Sequence, residues 1–333
     1  MSSESNAARE SLQRNDHVVR TERLYAWAIA GSAFLTILVT VGIVLALLGE
    51  ALTFWSAVSP LSFFTGTKWS PIIDGEYGLL PLVSGTLIVT VCSALIALPT
   101  GLAAALYLSE YASERTRSFL KPALEILAGV PTVIYGYMAL VYITPLFQGI
   151  LPVSIRLIPP GLDPLPAFTL VIPSLQTFNV LSASIVVGIM IIPMVSSISE
   201  DALRSVPDEL RAAAYGLGST KYDVSTKVVV PAATSGIVAS YVLALSRAIG
   251  ETMAVTMAMG MSPQLPYFPN VFRNLAESSQ TMTGAMVQIA SADSLGGVTY
   301  EAMFALGLTL FLITLSMNVA AELVRRRFRE VYQ

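Results

Sequence analysis

The chain has 333 residues, of which 54% are hydrophobic and 12% charged, with a net charge of −3 and a mean hydropathy of +0.68. A soluble domain carries charge on roughly a quarter of its residues, so this composition excludes one and points to apolar runs of the membrane kind. One cysteine, Cys92, and one histidine, His17, exclude a disulfide framework, a Cys-His metal site and a histidine-based triad, and so small a net charge gives no reason to expect nucleic acid.

Residues 1–23 are polar, lack apolar periodicity and are predicted to form a flexible cytosolic tail. The first apolar run is longer than a signal-peptide core and is expected to be a retained span. Charge-free stretches of the ~20 residues that a hydrocarbon core demands predict six transmembrane helices, at about 24–49, 78–109, 120–147, 176–200, 232–261 and 299–324, in one domain over 24–329. The run at 164–199 is too long for a single span. Pro164, Pro166 and Pro173 in its front half place the start of the fourth helix near Gln176. The fold class is therefore all-α and polytopic.

Loop charge sets the orientation. Arg9, Arg14, Arg20 and Arg23 precede the first span, and Arg115, Arg117 and Lys121 follow the second. Arg204, Arg211, Lys221 and Lys227 follow the fourth, and Arg325, Arg326, Arg327 and Arg329 follow the sixth. The opposite loops hold only Lys68, Arg156 and Arg273. This asymmetry places both termini in the cytoplasm.

In the third span, Gly129, Pro131 and Gly136 cluster in the run EILAGVPTVIYG at 125–136. The proline removes a helical hydrogen bond, and Thr132 and Tyr135 beside the freed backbone become candidates for a substrate pathway, with a kink for packing as the alternative. Pro193 in the fourth span reads as a similar kink. The fifth span contains Arg247 and Glu251, four residues apart and so predicted to share one helical face. Gly236, Ser240 and Ala244 continue that face with small residues. Each charge at a helix centre costs about 2.5–3.5 kcal/mol on the insertion scale. An intrahelical ion pair inside the bundle is one reading of the two charges. The other is an oxyanion contact through the guanidinium fork, with the carboxylate orienting that fork or accepting a proton from the ligand.

Residues 201–231 form a connection in which Pro207, Asp208 and Glu209 suit a helix start, with Ser205 as a candidate cap, and Ala212, Ala213 and Ala214 propagate the helix. Gly216 or Gly218 ends it, and a second short helix is predicted from Ser219 to Pro231. The outer segment 272–297 is polar and reads as a loop long enough to touch a soluble protein. No Gly-Lys pair occurs anywhere, which removes the phosphate loop of an ATPase, and neither a Gly-x-Ser-x-Gly elbow nor a zincin motif is present. A transporter component, a channel and a structural subunit remain.

The 201–231 connection resembles the loop of ABC importer permeases, whose pattern is Glu-Ala-Ala, three residues, Gly, nine residues, and an apolar run closed by proline. Here Ala212-Ala213-Ala214, Gly218 and Val228-Val229-Val230-Pro231 keep the spacing. Ala212 stands where the family has glutamate, and Asp208 and Glu209 are the nearest carboxylates one turn earlier. The runs RAIGETMAVT at 247–256, EILAGVPTVIYG at 125–136 and IMIIP at 189–193 resemble the PstC-type permease subunits of phosphate ABC transporters, and the resemblance extends over about 24–329.

That resemblance implies a type I importer permease in the bacterial inner membrane. It implies a PstA-like second permease subunit, a PstB-like dimer of ATP-binding subunits, an extracytoplasmic PstS-like phosphate-binding protein and a setting of membrane lipid. It implies no catalysis and no cofactor on this chain, with ATP and Mg held by the partner ATPase. Arg247 and Glu251 match the family's charged pair, and Asp208 to Gly218 match its ATPase-coupling segment. Ser240, Thr132 and Tyr135 are further candidates for the pathway. Import of another oxyanion, such as sulfate or molybdate, and an ATP-independent channel or secondary carrier are the competing expectations.

Overall fold

The computed structural model of the protein describes residues 16–151, 153–156, 169–268, 270–292 and 296–329. Most of the predicted tail, with Arg9 and Arg14, lies outside them, as do Pro164 and Pro166.

Helix α1, Asp16–Ala57, is 42 residues long, about 63 Å at 1.5 Å per residue, and runs well past both ends of the predicted first span. Its apolar side chains from Leu24 to Leu45 are largely exposed, and it packs on the last helix, α15, Val298–Arg329. A short helix α2, Pro60–Thr65, and the ribbon β1–β2, Trp69–Ser70 against Glu76–Tyr77, follow it. Phe54, Phe63, Trp69 and Tyr77 meet there edge to face, an arrangement aromatic rings prefer.

Helix α3, Leu80–Leu106, continues through a π-helical turn at Tyr107–Tyr111 and packs most extensively on α7, Val180–Arg204. Small residues permit the approach. A Cβ added at Gly101 would lie 2.7 Å from the Cβ of Val195, and Ser93 Oγ donates to the Ser184 carbonyl at 3.0 Å.

The predicted third span at 120–147 is divided. Helix α4, Glu114–Ala128, is amphipathic with no buried residue, and a break at Gly129–Pro131 separates it from α5, Thr132–Met138. A π-helical turn, Ala139–Ile143, joins α5 to α6, Thr144–Ile150. Only Thr132–Ile150 is long and apolar enough to cross. Proline lacks an N–H and pushes the residue before it out of the helical region. Tyr135 donates its hydroxyl to the Leu127 carbonyl at 2.7 Å across the break. A second ribbon pairs β3, Val153–Arg156, with β4, Thr169–Ile172. The all-α expectation therefore gains two small two-stranded ribbons.

After α7 comes α8, Asp208–Gly216, then α9, Lys221–Val224, a π-helical turn at Ser225–Val229, and α10, Val230–Ala232. Ser205 does not cap α8: its hydroxyl donates to the Ala202 carbonyl at the end of α7, and Pro207 precedes α8. The chain bends by 71° between α10 and α11, Thr234–Ile249. The predicted fifth span, 232–261, is broken at Gly250–Thr252 and resumes as α12, Met253–Met259.

The segment 272–297, read as a loop, holds most of α13, Val271–Ala276, and all of α14, Met282–Ser291. Thr281 caps α14 by accepting from the Gly284 N–H, and Met282, Ala285 and Ile289 bury one face. Helical spacing of those apolar residues was the signal for it. Among the described residues five helices are long and apolar enough to cross a membrane, or six when the bent pair is one span.

Candidate functional site

Helix α11 stops at Ile249 because glycine at 250 is a poor helix former. The Glu251 N–H reaches back to the Ala248 carbonyl at 3.3 Å. Glu251 is buried, and its Oε1 accepts from the Ala254 N–H at 3.3 Å, filling one of the unpaired donors that open α12. The Glu251 carbonyl, freed by the break, accepts from Thr283 Oγ1 at 3.0 Å. Arg247 and Glu251 therefore do not share one helical face, and no ion pair joins them. The 3.6-residue period that predicted their alignment ends between them.

Arg247, which is exposed, instead lines an open cavity of about 380 Å³ with Glu125 of α4 and with Met190, Pro193, Met194 and Ser197 of α7. Among the described residues its guanidinium has neither a hydrogen-bond nor an ion-pair partner. An Arg fork of five donors left without acceptors is suited to a planar or tetrahedral oxyanion. Non-helical backbone beside it, at Gly250–Thr252, is tolerated at membrane depth where it is enclosed by protein or borders a cavity.

The other pathway candidates are not among the residues that line that cavity. Ser240 is buried in the seam between α11 and α7, its Oγ 2.7 Å from Ser199 Oγ. Gly236 sits on the same seam, where an added Cβ would lie 2.3 Å from the Cβ of Ala202. The stripe of small residues is thus a helix-packing surface. Tyr135 is committed to the Leu127 carbonyl, and Gly136 lies against Ala254 and Met257 of α12. Thr132 is half-buried at the start of α5, and its hydroxyl bonds to no described residue.

In the coupling segment, Asp208, Glu209, Ala212 and Ala213 are exposed on α8, whereas Ala214 is buried in a cluster with Leu203, Val206, Val224 and Val229. Gly218 closes the helix at φ +83°, a left-handed conformation that glycine adopts without strain. Leu217, beside it, is 88% exposed. Ala214 faces the bundle, and the opposite face of α8 is open.

Two ion clusters at this end of the bundle join residues far apart in the chain. Glu200, fully buried on α7, accepts from Arg117 Nη2 at 2.6 Å and from Lys121 Nζ at 2.8 Å, which ties α4 to α7. Lys121 also reaches Asp201 at 2.9 Å, and the hydrogen bond to Glu200 holds its ammonium above the ordinary lysine pKa. Arg211 on α8 donates to Glu110 of the π-helical turn at 3.1 Å and to the Leu203 carbonyl at 2.8 Å. The ion-pair partners across helices are 79 or more residues apart. The adjacent acids Glu200 and Asp201 at the end of an apolar run were the one hint of the first cluster.

Residues 97–330 match the family described as binding-protein-dependent transport system inner membrane component. The chain is 30% identical over 315 residues to a phosphate transport system permease protein PstC of Mesorhizobium japonicum, covering 92% of this chain and 90% of that one. It is 34% identical to the PstC of Pasteurella multocida over 276 residues, 82% of each. It is 33% identical to the probable ABC transporter permease protein YqgH of Bacillus subtilis, over 78% of this chain and 75% of that one. The fold resembles a chain of a bacterial alginate ABC transporter solved in complex with an alginate pentasaccharide-bound periplasmic protein. The TM-score is 0.57 at 15% identity, over 94% of this chain and 96% of that one.

Proposed function

The chain belongs to the family of binding-protein-dependent transport system inner membrane components, a multi-pass membrane subunit rather than an enzyme, and on that premise we propose that it is a permease subunit of an ATP-driven importer of inorganic phosphate. The observation that carries this reading is the unpartnered guanidinium of Arg247 at the wall of a 380 Å³ cavity beside a broken helix. The phosphate-permease names of several relatives support it.

A PstS-like binding protein delivers phosphate from outside, and this chain and a PstA-like sister each line half of the route. Both termini lie in the cytoplasm. The Arg247 fork takes the anion's oxygens in the membrane, where displaced hydration is replaced by charge-assisted hydrogen bonds. ATP and Mg act on a PstB-like dimer. Its closure reaches the helices through α8, whose exposed face, with Asp208, Glu209, Ala212 and Ala213, docks into it. Arg211 on Glu110 and Ala214 in the apolar cluster transfer the push to α3 and α7.

The test is uptake of labelled phosphate by vesicles holding the complete complex and its binding protein. Uptake that requires ATP and resists excess sulfate is the expected result. Loss of uptake to sulfate favours another oxyanion, and uptake that persists after ATP depletion at fixed ion gradients identifies a channel or carrier.

A further inference from the structure

We infer that Glu125 is the residue that reads the proton on the transported anion, and so separates hydrogen-bearing phosphate from sulfate within the membrane subunit. The inference rests on the Arg247 reading above and deepens it. Glu125 and Arg247, both exposed, are the two charged residues of one open pocket, on α4 and α11 respectively, with Pro193 and Ser197 of α7 also in its lining. They do not pair with each other, and neither side chain has a partner among the described residues, so both are free to meet an occupant. Four nearby acids are engaged. Glu251 caps α12, Glu200 holds Arg117 and Lys121, Asp201 holds Lys121, and Glu110 holds Arg211.

The chemistry follows from what each group offers. A guanidinium has donors only, and an ionised carboxylate has acceptors only. Phosphate near neutrality keeps at least one P–O–H, which donates to Glu125 while its bare oxygens accept from Arg247. Sulfate carries no proton, so an oxygen turned toward Glu125 meets lone pairs and negative charge. Discrimination by such an unmatched contact is a repulsive device, and a site built for a ligand hydroxyl rejects analogues that lack it.

The experiment titrates labelled inorganic phosphate onto the purified, assembled complex without binding protein, then displaces it with unlabelled phosphate or with sulfate. Wild type is expected to prefer phosphate by at least about tenfold. Glu125→Gln, whose amide donates to a sulfate oxygen, narrows the preference to within about twofold, and Glu125→Asp keeps it. The ratio of displacement constants does not depend on how much complex assembles. An unchanged preference in Glu125→Gln, an equal loss in Glu125→Asp, or a loss in Glu251→Gln instead would overturn the assignment. Phosphate binding that is absent from wild type, or undiminished by Arg247→Gln, brings down the underlying reading as well, and shows itself in those arms alone.

Discussion

Replacing Glu251 by glutamine keeps an acceptor within reach of the Ala254 N–H, so the start of α12 should survive. We expect near-wild-type assembly and uptake from Glu251→Gln. Glu251→Leu removes the acceptor at a cost of about 1 kcal/mol and should lower the complex's thermal midpoint. Equal damage from both variants would show that the charge, and not the cap, matters. Glu200 differs, because both its oxygens hold cations and nothing else satisfies them. Glu200→Ala should destabilise the chain by about 2–3 kcal/mol. That is below the ~3–5 kcal/mol of a fully enclosed pair, since Arg117 and Lys121 are 22% and 25% exposed. Thermal unfolding in detergent would measure it, and a change under about 0.5 kcal/mol would make the cluster incidental. Arg247 and Glu251 stood out in the sequence because charge inside an apolar run is costly. Their separation was not legible, since one glycine decides where the helix ends.

At the scale of elements, continuous charge-free runs made α3, α7 and α15 readable, and their long-range packing on small residues follows from the same composition. The divided third and broken fifth spans were hidden because hydropathy averages over a break of three residues. Pro131 flagged the first, but a lone proline does not distinguish a kink from a full stop. The seam between α7 and α11 has no room for a larger side chain, as the 2.3 Å approach at Gly236 shows. Gly236→Leu is expected to cost at least about 1–3 kcal/mol and to reduce recovery of folded protein, while Gly49→Leu, where an added Cβ meets nothing within 4 Å, should be silent. Equal recovery of the two would contradict the close packing. Gly218 predicts a graded series. Asparagine tolerates a left-handed backbone better than valine does, so Gly218→Asn should retain more co-purifying ATPase than Gly218→Val.

At the scale of the whole molecule, the third and fifth helical regions break near the same cavity, and the ion clusters of Glu200 and Glu110 bind α4 and α8 to the ends of α7 and α3. The clusters join residues far apart in the chain, which is why pattern reading missed them, whereas the spacing of the 212–231 loop was local and readable. A movement at α8 thus has a packed route to the walls of the cavity that holds Arg247. The most direct test of that arrangement is ATP-driven uptake of labelled phosphate by the reconstituted complex carrying Arg247→Gln, with ATP hydrolysis followed in the same vesicles. Uptake should fall at least about tenfold, the equivalent of the ~1.5 kcal/mol that a hydrogen bond to a charged group contributes, while hydrolysis continues. Near-normal uptake by that variant would contradict the account.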